Sequence, residues 1–244
     1  MRLDLFLVES GYAKSRTEAK TLIENACVTV NKRTVTKPAF DINESEENEI
    51  LVDRSERKYV SRGGLKLEGA ISAFSLDVSN KICLDVGASS GGFTDCLLQK
   101  GAMRVFAVDS GHGQMNEALK KDKRVELFEG YNARYMKRED FSLPISFAVM
   151  DVSFISATYI LPALYDTLTD DAELVCLVKP QFELSRAYLS KGGIVKDEKA
   201  RRMALDRVVF AAEQLGFQFV AHITSPIKGG DGNVEFLAYF VKKG

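Results

Sequence analysis

The chain has 244 residues, 45% of them hydrophobic and 27% charged, with 33 basic side chains against 34 acidic ones. This excludes wholesale disorder, a collagen-like repeat and a disulfide-stapled mini-protein, and it provides for one or two domains. The net charge of −1 means that any nucleic-acid surface must be a local basic patch.

Residues 1–60 read as a separate small α+β module. Leu3, Phe6 and Leu7 mark a short amphipathic helix. Ser15-Arg16-Thr17-Glu18 is a capping box, and Ala19, Leu22, Ile23 and Ala26 continue it as a second helix. Val28-Thr29-Val30 alternates as a strand, Asn31-Lys32 turns it into Thr34-Val35-Thr36, Pro38 ends the pattern, and Ile50-Leu51-Val52 closes the sheet. Residues 1–37 carry seven basic side chains (Arg2, Lys14, Arg16, Lys20, Lys32, Arg33, Lys37) against four acidic ones. Residues 41–56 carry seven acidic ones (Asp41, Glu44, Glu46, Glu47, Glu49, Asp53, Glu56) against Arg54 alone. Such a split is either two solvated faces or a basic stripe for phosphates with an acidic flank. Arg2-Leu3-Asp4, Ser15-Arg16-x-x-Ala19 and Val28-x-Val30-Asn31 together resemble the S4 RNA-binding domain. Ala26 and Lys32 stand where glycine is common in such domains. The resemblance implies an RNA-binding set of Arg2, Lys14, Arg16, Lys20, Lys32 and Arg33, joined by Arg62 just beyond the module. Arg54 to Ser61 form a charged linker, either flexible or able to couple RNA docking to cofactor binding.

Residues 61–244 alternate strands with helices. Strands are predicted over 81–86, 104–109, 125–129, 145–151, 173–179, 217–225 and 235–242. Leu67, Ala70, Ile71 and Phe74 stripe a helix before the first of these, and Phe93, Cys96 and Leu97 one after it. Met203, Val208, Ala211, Ala212 and Leu215 are the predicted buried face of a helix over 198–215. This alternation predicts a mostly parallel sheet covered on both faces. The nine glycine-rich residues 226–234 are too few for a crossover helix, so the last two strands must pair antiparallel. A parallel sheet with a reversed last strand is the Rossmann-like methyltransferase architecture.

Asp85-Val86-Gly87-Ala88-Ser89-Ser90-Gly91-Gly92-Phe93 follows a strand and opens a helix, as G-x-x-x-G-G and not as G-x-G-x-x-G. Exposed N–H groups at such a helix start attract carboxylates, and S-adenosylmethionine carries a carboxylate and an amino group but no phosphate. Asp85 is an acceptor for the amino end. Asp109, 22 residues after Gly87, is placed to accept both ribose hydroxyls. The candidate cofactor set is Asp85, Gly87, Ala88, Ser89, Gly91, Gly92, Phe93, Asp109, Ser110, Asn132 and Asp151, with Asn132 either an adenine-side contact or a plain turn residue.

Asp151 ends the fourth large strand, Lys179 the fifth, and Glu235 begins the reversed last one, so all three reach the same sheet edge. Lys66 lies on the helix opened by Ser61-Arg62-Gly63-Gly64, flanking its apolar stripe. These types suit attack by a ribose hydroxyl on a sulfonium methyl, which needs a base or a cation that stabilises the forming alkoxide. Lys179 is a base if a neighbouring cation or partial burial loosens its proton, and a fixed cation if the carboxylates keep the proton on it. Segment 180–197 is long enough for a mobile lid over this edge.

Cys27, Cys83, Cys96 and Cys176 form no C-x-x-C pair and read as reduced core residues of a cytoplasmic protein. His112 and His222 show no ligand spacing, so no metal is expected. No apolar run approaches the roughly 18 residues of a membrane span, so no membrane partner is expected either.

The S4-like module, Ser61-Arg62-Gly63-Gly64-Leu65-Lys66, the Asp85–Asp95 loop, Asp151-Val152-Ser153-Phe154, Lys179-Pro180-Gln181-Phe182-Glu183 and Gly232-Asn233-Val234-Glu235 together resemble the TlyA family. That family joins an S4 domain to an FtsJ-like rRNA 2′-O-methyltransferase and also carries the name haemolysin. The resemblance implies S-adenosyl-L-methionine as cofactor, ribosomal RNA or a ribosomal subunit as partner, a monomer when free, and Lys66, Asp151, Lys179 and Glu235 as the catalytic set. The compact chain is similar to the shorter TlyA type, which implies a cytidine of 23S rRNA as target. Three other readings remain open. One is a methyltransferase of small molecules or proteins that leaves the first module unused. Another is a pore-forming haemolysin, which lacks a membrane segment here. The third is a ribosome-assembly protein with an inactive transferase fold, which leaves the charged quartet unexplained.

Overall fold

The computed structural model describes residues 1–24, 27–43, 48–53, 58–190, 192–229 and 232–244. Ala26, Glu44, Glu46, Glu47, Arg54, Glu56 and Gly230-Asp231, which entered the expectations above, lie outside the described residues. The chain divides into two compact units, Met1–Arg57 and Lys58–Gly244.

In the first unit, α1 (Leu3–Glu9) and α2 (Arg16–Glu24) accompany a three-stranded antiparallel sheet. The strands are β1 (Val28–Val30), β2 (Arg33–Val35) and β3 (Ile50–Val52), in the order β2-β1-β3. Leu3, Leu7, Ala19, Ile23, Val28, Val30, Val35, Ile42 and Ile50 form its core. Ser15 Oγ caps α2 by accepting the Glu18 N–H at 3.1 Å, while the Glu18 carboxylate accepts the N–H of Lys14 at 2.7 Å. β2 starts one residue earlier than predicted. Asn31 (φ +49°) and Lys32 (φ +64°) both adopt the left-handed conformation of a two-residue type I′ loop, so Val30 pairs directly with Arg33.

The second unit follows the expected alternation. Its first half contains α3 (Gly63–Phe74), β4 (Ile82–Val86), α4 (Gly92–Gln99), β5 (Arg104–Val108), α5 (Glu117–Lys120), β6 (Val125–Phe128) and β7 (Ile145–Met150). Its second half contains α6 (Leu161–Thr167), β8 (Leu168–Val178), α7 (Pro180–Glu183), α8 (Glu198–Leu215), β9 (Phe217–Thr224) and β10 (Phe236–Lys242). The sheet order is β6-β5-β4-β7-β8-β10-β9. The first five strands are mutually parallel, and β10 runs antiparallel to both β8 and β9. Strand residues alternate between two cores. Leu84, Phe106, Ala148 and Leu174 pack with α6 and α8, whereas Cys83, Val105, Phe147 and Val175 pack with α3 and α4. Strands buried on both faces are therefore apolar almost throughout.

Two expectations need correction. β8 begins at Leu168, not 173, because the β7–β8 register jumps from Ile145↔Leu168 to Phe147↔Glu173. Asp171, at φ +58°, lies in the extra stretch, whose Thr-Asp-Asp sequence reads as a loop. On α8 the buried residues are Ala200, Ala204, Leu205, Val208 and Ala212, whereas Met203 is 48% exposed. Small alanines let α8 lie close on the sheet, so its inner face is set by size as well as hydropathy.

Candidate active site

The carboxyl ends of β4, β5, β7 and β8 and the start of β10 share one edge of the large sheet. Gly87, Gly91 and Gly92 shape the loop at the end of β4. Gly87 (φ +85°) lies against the next strand exit: a Cβ there would stand 2.3 Å from the main-chain oxygen of Asp151. The Asp151 N–H in turn donates to Val86 O at 2.9 Å. Gly91 (φ +92°) lies under Met115 and Leu119, and Gly92 under Ser61 and Gly64. Ser61-Arg62-Gly63-Gly64 thus crosses the first turn of α4. Phe93 is buried in the apolar core beside Gly63.

The loop amides are used differently from expectation. Gly87 and Ala88 N–H donate to Val108 O, Ser89 N–H donates to Asp109 Oδ2 at 2.8 Å, and Gly91 N–H donates to Ala88 O. These groups hold the loop rigid. The first-turn amides of α4 keep the helix-start geometry in which N–H groups lack intrahelical acceptors.

Asp85 is fully buried. Its Oδ2 accepts from Thr94 Oγ1 at 2.6 Å, and its Oδ1 is buried with no hydrogen-bond donor. Burial pushes its carboxyl up to about 7 despite the Thr94 bond, with Asp151 and Asp109 adding like charge. Asp109 accepts Gly111 N–H on Oδ1 at 2.7 Å and Ser89 N–H on Oδ2, which fixes its orientation and leaves further lone pairs. Ser110 is exposed. Asn132 is exposed and caps the short helical turn Ala133–Tyr135 by accepting Arg134 N–H at 3.1 Å, as a turn residue does.

The predicted quartet forms two ion pairs. Lys179 Nζ lies 2.5 Å from Asp151 Oδ1 and donates to Ser153 Oγ at 2.8 Å. Lys66 Nζ lies 2.6 Å from Glu235 Oε2. Lys66 is itself buried, at 8% exposure, rather than at the flank of α3. Gly229 gives Glu235 room, since a Cβ there would stand 2.4 Å from Oε1. Strands β7, β8 and β10 are consecutive in the sheet, so Asp151, Lys179 and Glu235 adjoin neighbouring strand ends, and Lys66 reaches Glu235 from α3.

Segment 180–197, expected as a lid, is tied into the fold among its described residues. Glu183 and Val195 are buried, Val195 N–H donates to Asn233 Oδ1 at 2.9 Å, and Asn233 Nδ2 donates to Gly193 O at 3.0 Å.

Several motif residues near this edge had been given no role by the sequence. Ser153 holds Lys179. Phe154 is 91% exposed at φ +64°, with its ring 5.3 Å from that of Phe182. Lys179 Nζ lies 6.0 Å from the Phe182 ring centre. Their membership of the Asp151–Phe154 and Lys179–Glu183 motifs was the signal available.

In the first unit, buried Asp4 binds Arg2 Nε and Nη2 at 2.9 and 3.0 Å and Arg16 Nε at 3.0 Å. The Arg2 guanidinium, helped by Arg16, holds the Asp4 carboxyl down to about 2. Both arginines stay about half exposed, at 45% and 51%. Lys14, Lys20, Lys32 and Arg33 are exposed, and Arg62 is half-buried and donates to Lys228 O.

Among the described residues no helix is long and apolar enough to cross a membrane. The FtsJ-like methyltransferase family model matches residues 59–242, and the S4 domain model matches residues 1–48. "Hemolysin A" of Brachyspira hyodysenteriae is 45% identical over 99% of this chain and 100% of its own length. The "16S/23S rRNA (cytidine-2′-O)-methyltransferase TlyA" of Mycobacterium tuberculosis is 40% identical over 98% of this chain and 88% of its own. The "23S rRNA (cytidine-2′-O)-methyltransferase TlyA" of Campylobacter jejuni is 34% identical over 99% of this chain and 100% of its own. A solved haemolysin-titled structure from Streptococcus thermophilus, 41% identical, superposes with a TM-score of 0.78 over 100% of this chain and 88% of that one.

Proposed function

Because the chain belongs to the FtsJ-like methyltransferase family and carries an S4 domain, we propose that it transfers a methyl group from S-adenosylmethionine to a ribose 2′-hydroxyl of ribosomal RNA. The target we infer is a cytidine of 23S rRNA, the nucleotide and subunit that the names of both TlyA relatives share. The observation that carries the reading is the pairing of Lys179 with Asp151 beside the cofactor loop, at 2.5 Å.

The residues present fit the cofactor. Asp85 offers a buried carboxylate oxygen without a donor, which an ammonium group would satisfy. Asp109, held by two backbone donors, would offer its remaining lone pairs to a ribose diol. When bound, S-adenosylmethionine supplies an electrophilic methyl on a sulfonium. The chain's own groups must then handle a hydroxyl that releases its proton reluctantly. The Lys179 ammonium stabilises the oxygen as negative charge builds, and Asp151 is the nearest carboxylate to take the released proton. Ser153 fixes the direction of the amine. Lys66 and Glu235 form a second, more buried pair beside the first, since Phe236 is the strand partner of Val178.

RNA docking falls to Arg2 and Arg16, whose shared bonds to Asp4 set their guanidinium groups before any phosphate arrives. Lys14, Lys20, Lys32 and Arg33 add exposed charge, with Arg62 on the second unit. The test is to map ribose methylation on 23S and 16S rRNA after incubation with labelled cofactor. Modification of a 23S cytidine by the wild type, lost in Lys179→Ala while the thermal unfolding transition persists, is expected. Methyl transfer to protein or small molecules but not to rRNA would overturn the reading.

A further inference from the structure

Building on that function, we infer that Glu183 is a positioning residue that holds Lys179 against Asp151. The amine and the acid end neighbouring strands, β8 and β7, and beyond them the chain continues as two separate loops. The loop after Asp151 is exposed at Ser153 and Phe154 and passes through a left-handed residue at Phe154. The piece after Lys179 is α7, a single turn of four residues. Neither has enough regular structure to fix an ion pair by itself.

Glu183 joins them. It ends α7, is 3% exposed, and sends both carboxylate oxygens to the other loop. Oε2 accepts from Ser156 Oγ at 2.5 Å, and Oε1 accepts from the Ala157 N–H at 2.8 Å. Its main-chain oxygen accepts from Arg207 Nη1 at 2.7 Å, which anchors the bridge on α8. A carboxylate is poorly suited to mere filling at this place. Burial raises its proton affinity, and among the described residues no cation bonds to its carboxylate oxygens. A bridge needing two acceptors aimed at one loop accounts for it. Ser153 and Asp151, which hold Lys179, lie within the span so fixed.

The test compares full-length wild type, Glu183→Ala and Glu183→Gln in single-turnover methylation of rRNA and in calorimetric binding of S-adenosylmethionine. Glu183→Ala is expected to lower the turnover rate at least tenfold. Its cofactor Kd should stay within twofold, because Asp85 is on β4, Asp109 follows β5, and the Asp151 main chain that meets the cofactor loop is held by Val86 and not by Glu183. Glu183→Gln keeps an acceptor for Ala157 and a group that reaches Ser156, so it should recover most of the rate. A folded Glu183→Ala with wild-type turnover overturns the inference, as does a loss confined to cofactor affinity or shared equally by Glu183→Gln. If Glu183→Ala fails to fold, Ser156→Ala decides: slower turnover at unchanged Kd supports the brace, and unchanged turnover overturns it. The NMR resonance of Lys179 Nζ separates this inference from the functional reading. A wild type inactive on rRNA counts against the function alone, whereas a resonance unmoved by Glu183→Ala counts against the brace alone.

Discussion

Gly87 and Asp151 touch: the main-chain oxygen of Asp151 occupies the space where a side chain on residue 87 would begin, 2.3 Å from an ideal Cβ. The cofactor loop and the acid that holds Lys179 are therefore one rigid joint. Gly87→Ala meets both this oxygen and a φ of +85° that alanine resists. The expected result is a loss of about 2 kcal/mol or more of stability, together with weakened cofactor binding. Thermal unfolding and calorimetry check both. Unchanged values in the variant would mean that the loop has another position in solution.

The architecture was legible in the sequence because strands buried on both faces must be apolar, and their spacing leaves room for helices only where helices occur. The reversed last strand followed from a connection too short for a crossover. That Asp151, Lys179 and Glu235 meet at one edge was legible because they are charges at the ends of apolar runs, whereas the burial of Lys66 on α3 was not. What stayed hidden depends on contacts distant in sequence or on backbone conformation. Glu183 finds its partners at Ser156 and Ala157, on another loop. The left-handed conformations of Phe154 and Asp171 have no glycine to announce them. Spacing also overstated what Gly91, Gly92 and Phe93 offer a ligand, since their main visible work is packing α4 under Ser61–Gly64 and residues 115–119.

Asp85 gives the site a pH dependence. Its carboxyl is raised from 3.8 to about 7, so between those values the folded chain holds a proton that the unfolded chain has released. The contribution of Asp85 to stability therefore falls as pH rises from about 4 to about 7. A cationic ligand group at Oδ1 favours the ionised form, so affinity for S-adenosylmethionine should increase through the same window with release of a proton. Calorimetry in buffers of different ionisation enthalpy measures that proton. Asp85→Asn should flatten both trends, and trends that persist in it would assign them to another group.

The type I′ loop in the first unit sets stability against binding. Lys32 sits at φ +64°, where a side chain is strained and glycine is not. Lys32→Gly should stabilise the hairpin by about 1 kcal/mol, the left-handed penalty less the added freedom of the unfolded chain. It also removes an exposed cation from the proposed RNA face. The expected combination is a higher unfolding temperature of the first unit within the full chain and weaker rRNA binding, with a salt dependence shallower by about one unit of slope. Stabilisation with unaltered binding would take Lys32 out of the RNA-contacting set.

Phe154 is the sharpest test of how the nucleotide is held. An aromatic ring 91% exposed, paired among the described residues with Phe182 alone at 5.3 Å and three residues beyond Asp151, adds little to the core. Its cost is the left-handed backbone, and an exposed ring in this place is suited to stacking on a base, the expectation that Phe154→Ala tests. Phe154→Ala should change stability by less than about 0.5 kcal/mol, as surface changes do. Losing one stacked base is worth about 1–3 kcal/mol, so KM for rRNA should rise by roughly five- to 150-fold. Cofactor affinity should not move, because Asp85 and Asp109 lie on other strands. Steady-state kinetics with rRNA varied at saturating cofactor separates these effects. A variant that loses kcat with KM for rRNA unchanged would instead make Phe154 part of the support for Lys179, acting through Phe182.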